Sequence, residues 1–207
     1  MKSIALLFLA FVWLNCMGQR EFEGTLFIEV SSADSIEIPK MNFEVKLKGN
    51  MARMNMHSEN IEDYSLIINY STGESIMLKT HNGEKIAIRG LKTLADSGTF
   101  TPEKGKLKKV AGYNCRKGKI TTSKGSSVVY YSTAYKSPTQ VYGAYSNVAG
   151  IVLELQLTEN GTTQIVKTKK LSKRKVKDEE FIIPEEYREM SESEYQLLLP
   201  LFPEMLK

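Results

Sequence analysis

The sequence predicts a mainly β (α+β) chain: a strongly curved antiparallel sheet or half-open β-barrel covered by short helices. Three observations predict it. Apolar and polar residues alternate with period two through most of the chain after Gln19. Turn signals recur between these runs. No long run of 3.6-residue period precedes residue 185, so the strands are expected to join as one meander.

The elements follow in order. Phe22, Gly24, Leu26, Ile28 and Val30 share one strand face, with Glu23, Thr25 and Glu29 opposite. Met41, Phe43, Val45 and Leu47 alternate with Asn42, Glu44, Lys46 and Lys48, and Gly49-Asn50 turns the chain into a hairpin partner at 51–57. Runs 64–70 and 75–79 flank Ser71-Thr72-Gly73-Glu74, and His81-Asn82-Gly83 leads into 85–89. Further strands are expected at 106–110, 113–122, 127–135, 151–157, 163–171 and 175–183, with Asn160-Gly161 as another hairpin signal. Segments 91–105 and 136–150 carry Gly98, Pro102, Gly105, Pro138, Gly143 and Gly150, and read as loops or short helices laid across the sheet. Ser191 and Glu194 have capping-box spacing and open a short helix; Pro200 and Pro203 break it within an apolar tail, 191–207.

Length and composition bound the function. The chain has 207 residues, 42% of them apolar, with 28 Lys+Arg against 24 Asp+Glu. That fits a single domain over 19–207 and disfavours disorder. Lys2 and the apolar run from Ile4 to Leu14 read as a signal peptide over 1–18, because the run is too short to span ~30 Å of hydrocarbon. Cys16 and Gly18 supply the small residues of a cleavage site before Gln19, giving a periplasmic or secreted protein that is not transmembrane. The alternative is a lipoprotein anchored through Cys16, with Trp13 and Asn15 in the positions that usually hold Leu and a small residue. Beyond residue 18 stand one Cys and two His, too few for a Cys/His zinc shell or a disulfide framework. A net charge of +4 gives no argument for nucleic acid.

Several stretches resemble a known layout. Asn42 to Met54, Leu66-Ile67-Ile68-Asn69-Tyr70 and Ser75-Ile76-Met77-Leu78 resemble an exported Bacteroidota domain with a fold like the outer-membrane lipoprotein carrier (LolA-like). Lys109-Val110-Ala111-Gly112-Tyr113-Asn114-Cys115-Arg116-Lys117 resembles a strand of those proteins and of the related GLPGLI family. Val148-Ala149-Gly150-Ile151-Val152 stands where that family has Leu-Pro-Gly-Leu-Ile, and Phe181-Ile182-Ile183-Pro184 matches its final strand. The resemblance covers about residues 22–187 by strand count. It implies a half-open antiparallel barrel wrapped on helices, among relatives that carry acyl chains or lipids. It carries over no catalytic residue.

The candidate chemistry is sparse. Met51, Met54, Met56 and His57 form a soft-ligand set of the kind that selects Cu(I). On a regular strand, however, Met54 and Met56 face one way and Met51 and His57 the other, which favours the methionines as adaptable interior filler. Cys115, with Arg116 and Lys117 beside it, has no flanking hydrolase motif to bring a base such as His57 or His81 to it, and reads as a buried structural thiol. Seven cations crowd Lys167–Lys177, read as an edge hairpin guarded by lysine or as a surface for anionic head groups or an acidic envelope protein. Tyr130, Tyr131, Tyr135, Tyr142 and Tyr145 gather around 136–150, where a barrel mouth would lie.

The expected function is non-enzymatic: an apolar small molecule, acyl chain or lipid held in the cell envelope between sheet and helices, with no cofactor. Leu26, Ile28, Phe43, Val45, Met54, Met56, Leu66, Ile68, Tyr142 and Tyr145 are the expected lining, and the tail the lid. The alternatives are an envelope scaffold whose barrel is filled by its own tail, and a periplasmic copper-binding protein using Met51, Met54, Met56 and His57.

Overall fold

The computed structural model describes residues 19–33, 39–59, 62–81, 83–90, 98–123, 125–137, 148–159 and 162–198. Their backbone is dominated by strands, named here in chain order. The first six are β1 (Gly24–Ser32), β2 (Met41–Lys48), β3 (Met51–Ser58), β4 (Tyr64–Asn69), β5 (Glu74–His81) and β6 (Glu84–Arg89). Then come β7 (Thr99–Pro102), β8 (Lys108–Val110), β9 (Tyr113–Thr122), β10 (Gly125–Ser132), β11 (Ile151–Glu159), β12 (Thr162–Ser172) and β13 (Arg188–Ser191).

One sheet takes them all, in the order β13-β6-β5-β4-β3-β2-β1-β12-β11-β10-β9-β7, with β8 on the first residues of β9. Every pair is antiparallel except β13 on β6. The sheet is thus two meanders, β1 to β6 and β9 to β12, sewn together where β1 meets β12. It is large, curved and unclosed, as the sequence predicts of a half-open antiparallel sheet. Its outermost strands are only four residues long, which limits the unpaired edge offered to other chains.

Local sequence explains the hairpins. Lys48 pairs with Met51 across Gly49-Asn50, and Gly49 takes the positive φ of 51° that such a turn needs. Val110 pairs with Tyr113 across Ala111-Gly112, with φ of 49° and 85°. An alanine there accepts a left-handed conformation that costs roughly 1–2 kcal/mol. Curvature brings the two meanders onto one core: Leu26, Ile28, Val45, Leu47 and Ala52 pack in one cluster with Val110, Cys115, Ile151 and Leu153.

Three expectations are corrected. Segment 175–183 is not a strand, and Phe181-Ile182-Ile183-Pro184 is not the final one. Three successive carboxylates open a 3₁₀ helix, Asp178–Phe181, and two of them reach lysines of β2: Asp178 lies 2.6 Å from Lys48 and Glu180 2.8 Å from Lys46. Lys167–Lys177 is therefore no edge hairpin, since β12 lies between β1 and β11. Residues 99–102, expected in a loop or helix, pair with β9 as β7. The short helices expected over 91–105 and 136–150 would fall partly on residues outside those described; the one described α-helix is Glu192–Leu198. Its capping box forms as the spacing predicts: the Ser191 N–H donates to Glu194 Oε2 at 2.7 Å, and the Glu194 N–H to Ser191 Oγ at 3.2 Å.

Candidate functional site

Cross-strand register aligns the expected lining into rows. Leu171, Leu26, Val45, Met54, Leu66, Met77, Ile88 and Met190 stand opposite one another from β12 through β1 to β6 and on to β13. Beside them, Ile28, Phe43, Met56 and Tyr64 form a second row, and Leu47, Ala52, Ile68 and Ser75 a third. Period two puts all three on one face of the sheet. Burial is uneven along the first row. Leu26, Val45 and Ile88 are fully buried, whereas Met54, Leu66 and Met77 between them are only half-buried. In the second row Ile28 and Met56 are buried and Phe43 and Tyr64 half-buried; the third row is closed at Leu47, Ala52, Ile68 and Ser75. We call this stretch of half-buried apolar side chains between buried ones the slot. At one end Tyr195 of the C-terminal helix packs on Ile86, Ile88 and Met190. Tyr142, Tyr145 and residues 199–207 lie outside the described residues.

The other candidates separate. β3 pairs with β2 and β4 without a register break, so Met54 and Met56 stay on the slot face while Met51 and His57 stay on the opposite one. His57 Nδ1 lies 2.7 Å from an exposed Asp63 carboxylate. These four groups do not meet at one ion. Nor do the described tyrosines share a rim: Tyr131 packs edge-on to Phe100, and Tyr135 edge-on to Phe22 and Tyr113.

Cys115 is fully buried, and burial pushes its thiol up to about 11. Next to it lies a charge that no sequence pattern signalled. Glu154 is 1% exposed; Lys108 donates to its Oε1 at 2.6 Å and Gln156 at 2.9 Å, while the Lys108 ammonium stands 4.3 Å from the Tyr130 ring centroid. Its second oxygen has no hydrogen-bond partner among the described residues. The two partners come from β8 and β11, so this ion pair ties the β8–β9 hairpin down onto the sheet.

On the opposite face the chain leaving β12 runs over β1 and β2 and forms with them a half-open cavity of about 480 Å³. Phe27, Lys46 and Lys170 project into it from the strands, and Arg174, Lys175 and Lys177 from the crossing segment. Sequence alternation places Phe27 and Lys46 on this face, but their meeting with 174–177 depends on the long-range crossing.

No protein-family model matches the chain, and no curated protein matches it. Solved structures similar to it include two crystal forms of PNGF-II, with a TM-score of 0.51 and 16% identity over 84% of this chain and 32% of that one. The chain therefore spans about a third of PNGF-II, and the likeness is one of fold. LprF from Mycobacterium bovis is more distant, with a TM-score of 0.39 and 11% identity over 80% of this chain and 90% of that one.

Proposed function

We propose that this protein is an exported, non-enzymatic carrier that holds an apolar ligand, an acyl chain or lipid, in the slot of its apolar face. One observation carries the reading: the row from Leu26 to Met190 is apolar across seven strands, buried at both ends and half-open at Met54, Leu66 and Met77. Binding follows from removing that surface and the ligand chain from water, at ~25 cal/mol per Å² of apolar area. Two of the three half-open residues are methionines, whose flexible thioethers fit chains of varied shape. The resemblance of the strand motifs to the lipoprotein-carrier layout supports the same reading.

The test is a fluorescent long-chain fatty acid titrated into the purified protein. Binding is expected to be saturable, and Leu66→Glu, which puts a charge in the slot, to weaken it by about tenfold or more. Met54→Leu should leave it within about threefold, as a volume-conserving exchange. Equal affinity in all three proteins contradicts the reading.

A second reading, the self-filled envelope scaffold, is favoured by Tyr195, which already sits at one end of the slot on Ile86 and Ile88. There the chain's own tail is the occupant.

A further inference from the structure

We propose that the cavity on the opposite face is a second binding site, for a small soluble organic anion: a phosphate or sulfate ester of a flat apolar group. Its volume of about 480 Å³ lies within the ~300–1,000 Å³ of small-molecule sites. Its charge is one-sided, with five cations lining it against two carboxylates. Both carboxylates are already engaged. Glu180 accepts from Lys46 at 2.8 Å, and Glu44 accepts from Asn55 at 3.1 Å with Lys46 at 4.0 Å. Among the described residues, Lys170, Arg174, Lys175 and Lys177 have no ion-pair partner. These four exposed cations leave a net positive field at the hollow, which an anion would neutralise.

The floor carries one aromatic side chain, Phe27, among the polar Thr25, Glu44 and Lys46. Phe27 is 37% exposed, on a central strand, with the Lys170 ammonium 5.6 Å from its ring centroid. The β1–β12 ladder shifts register between Phe27 and Ile28, with Lys169 as the extra residue. Such bulges re-aim side chains at functional sites. The far wall is pinned at both ends: the buried Val176 donates its N–H to Glu23 Oε1 at 3.1 Å, and Arg53 Nη1 donates to the Glu180 carbonyl at 3.1 Å. The wall is preformed, so little ordering opposes binding. Phe27 stacks the flat group while Arg174 supplies a fork matched to phosphate oxygens and the lysines add charge.

The site is separate from the slot and stands or falls independently of it. The test uses phenyl phosphate, inorganic phosphate and phenol as probes, read from the amide resonances of the ¹⁵N-labelled full chain. Phenyl phosphate should saturably shift Phe27 and residues 170–177, binding about tenfold or more tighter than either fragment. The exposed triple substitution Arg174→Gln, Lys175→Gln, Lys177→Gln should weaken it about tenfold or more while leaving the remaining amide spectrum in place. Phe27→Ser should bring phenyl phosphate down to inorganic phosphate. Shifts spread over lysines elsewhere, or a triple variant that binds unchanged, overturn the proposal. So does binding to phosphatidate vesicles through these cations that phenyl phosphate cannot displace, because the face is then a membrane contact.

Discussion

Met54 stands directly opposite Leu66 across the β3–β4 pair, and both are half-buried, while Val45, the neighbour of Met54 on β2, is completely enclosed. One step along a single row of side chains thus passes from closed core to accessible apolar surface. A core that simply continued would bury all three. The proposed slot begins at this boundary.

The fate of the tail discriminates between a carrier and a self-filled scaffold. Among the described tail residues, Tyr195 packs on the Ile86–Ile88–Met190 cluster, and Lys79 donates to its hydroxyl at 3.3 Å. Deleting residues 192–207 should therefore cost on the order of 1–2 kcal/mol and leave a folded chain with more accessible slot, read by thermal denaturation and by enhanced fluorescence of an apolar dye. Loss of the cooperative transition and aggregation would show that the tail is the core of the barrel.

The Lys108–Glu154 pair gives a sharper stability test. Lys108→Met leaves a fully buried carboxylate with Gln156 as its remaining side-chain partner. Urea unfolding should show a loss of about 3 kcal/mol, much of it recovered by the double variant Lys108→Met, Glu154→Gln, in which the charge is gone. A single substitution costing under ~1 kcal/mol would mean that Glu154 is hydrated rather than buried.

Alkaline pH should weaken the fold through Cys115. Its thiol is raised from 9.0 to about 11 in the folded chain, first by burial. The unfolded state therefore ionises first. The stabilisation is complete below about pH 9 and is lost as pH rises towards about 11, a slope on the order of 2 kcal/mol in total. Tyr70, raised to about 12 by burial, adds to the loss at the upper end. Cys115→Val should flatten the first part of that slope, measured as urea midpoints from pH 8 to 11, and native Cys115 should resist alkylation at neutral pH. Rapid alkylation without unfolding contradicts the burial argument.

Most of the sheet was legible in the sequence because period two and Gly-Asn turns are local. Leu26, Ile28, Phe43, Val45, Met54, Met56, Leu66 and Ile68 fall on one face, as alternation requires. What escaped was non-local. The pairing of β1 with β12 and the parallel return of β13 onto β6 leave no trace in local pattern. Residues 175–183 end in the apolar run Phe181-Ile182-Ile183 that reads as strand, but Asp178 and Glu180 before it pair with Lys48 and Lys46 of β2. Glu154 lies between Leu153 and Leu155 and reads as a solvent-facing strand position; only Lys108, 46 residues away, makes its burial intelligible.

The central claim, that the slot holds an apolar ligand, is tested most directly by native mass spectrometry of the full chain exported to a bacterial periplasm and purified without detergent. The account predicts an excess mass on the order of several hundred daltons that leaves as a lipid or fatty acid, and that is absent from Leu66→Glu. A bare polypeptide mass for both proteins would contradict it.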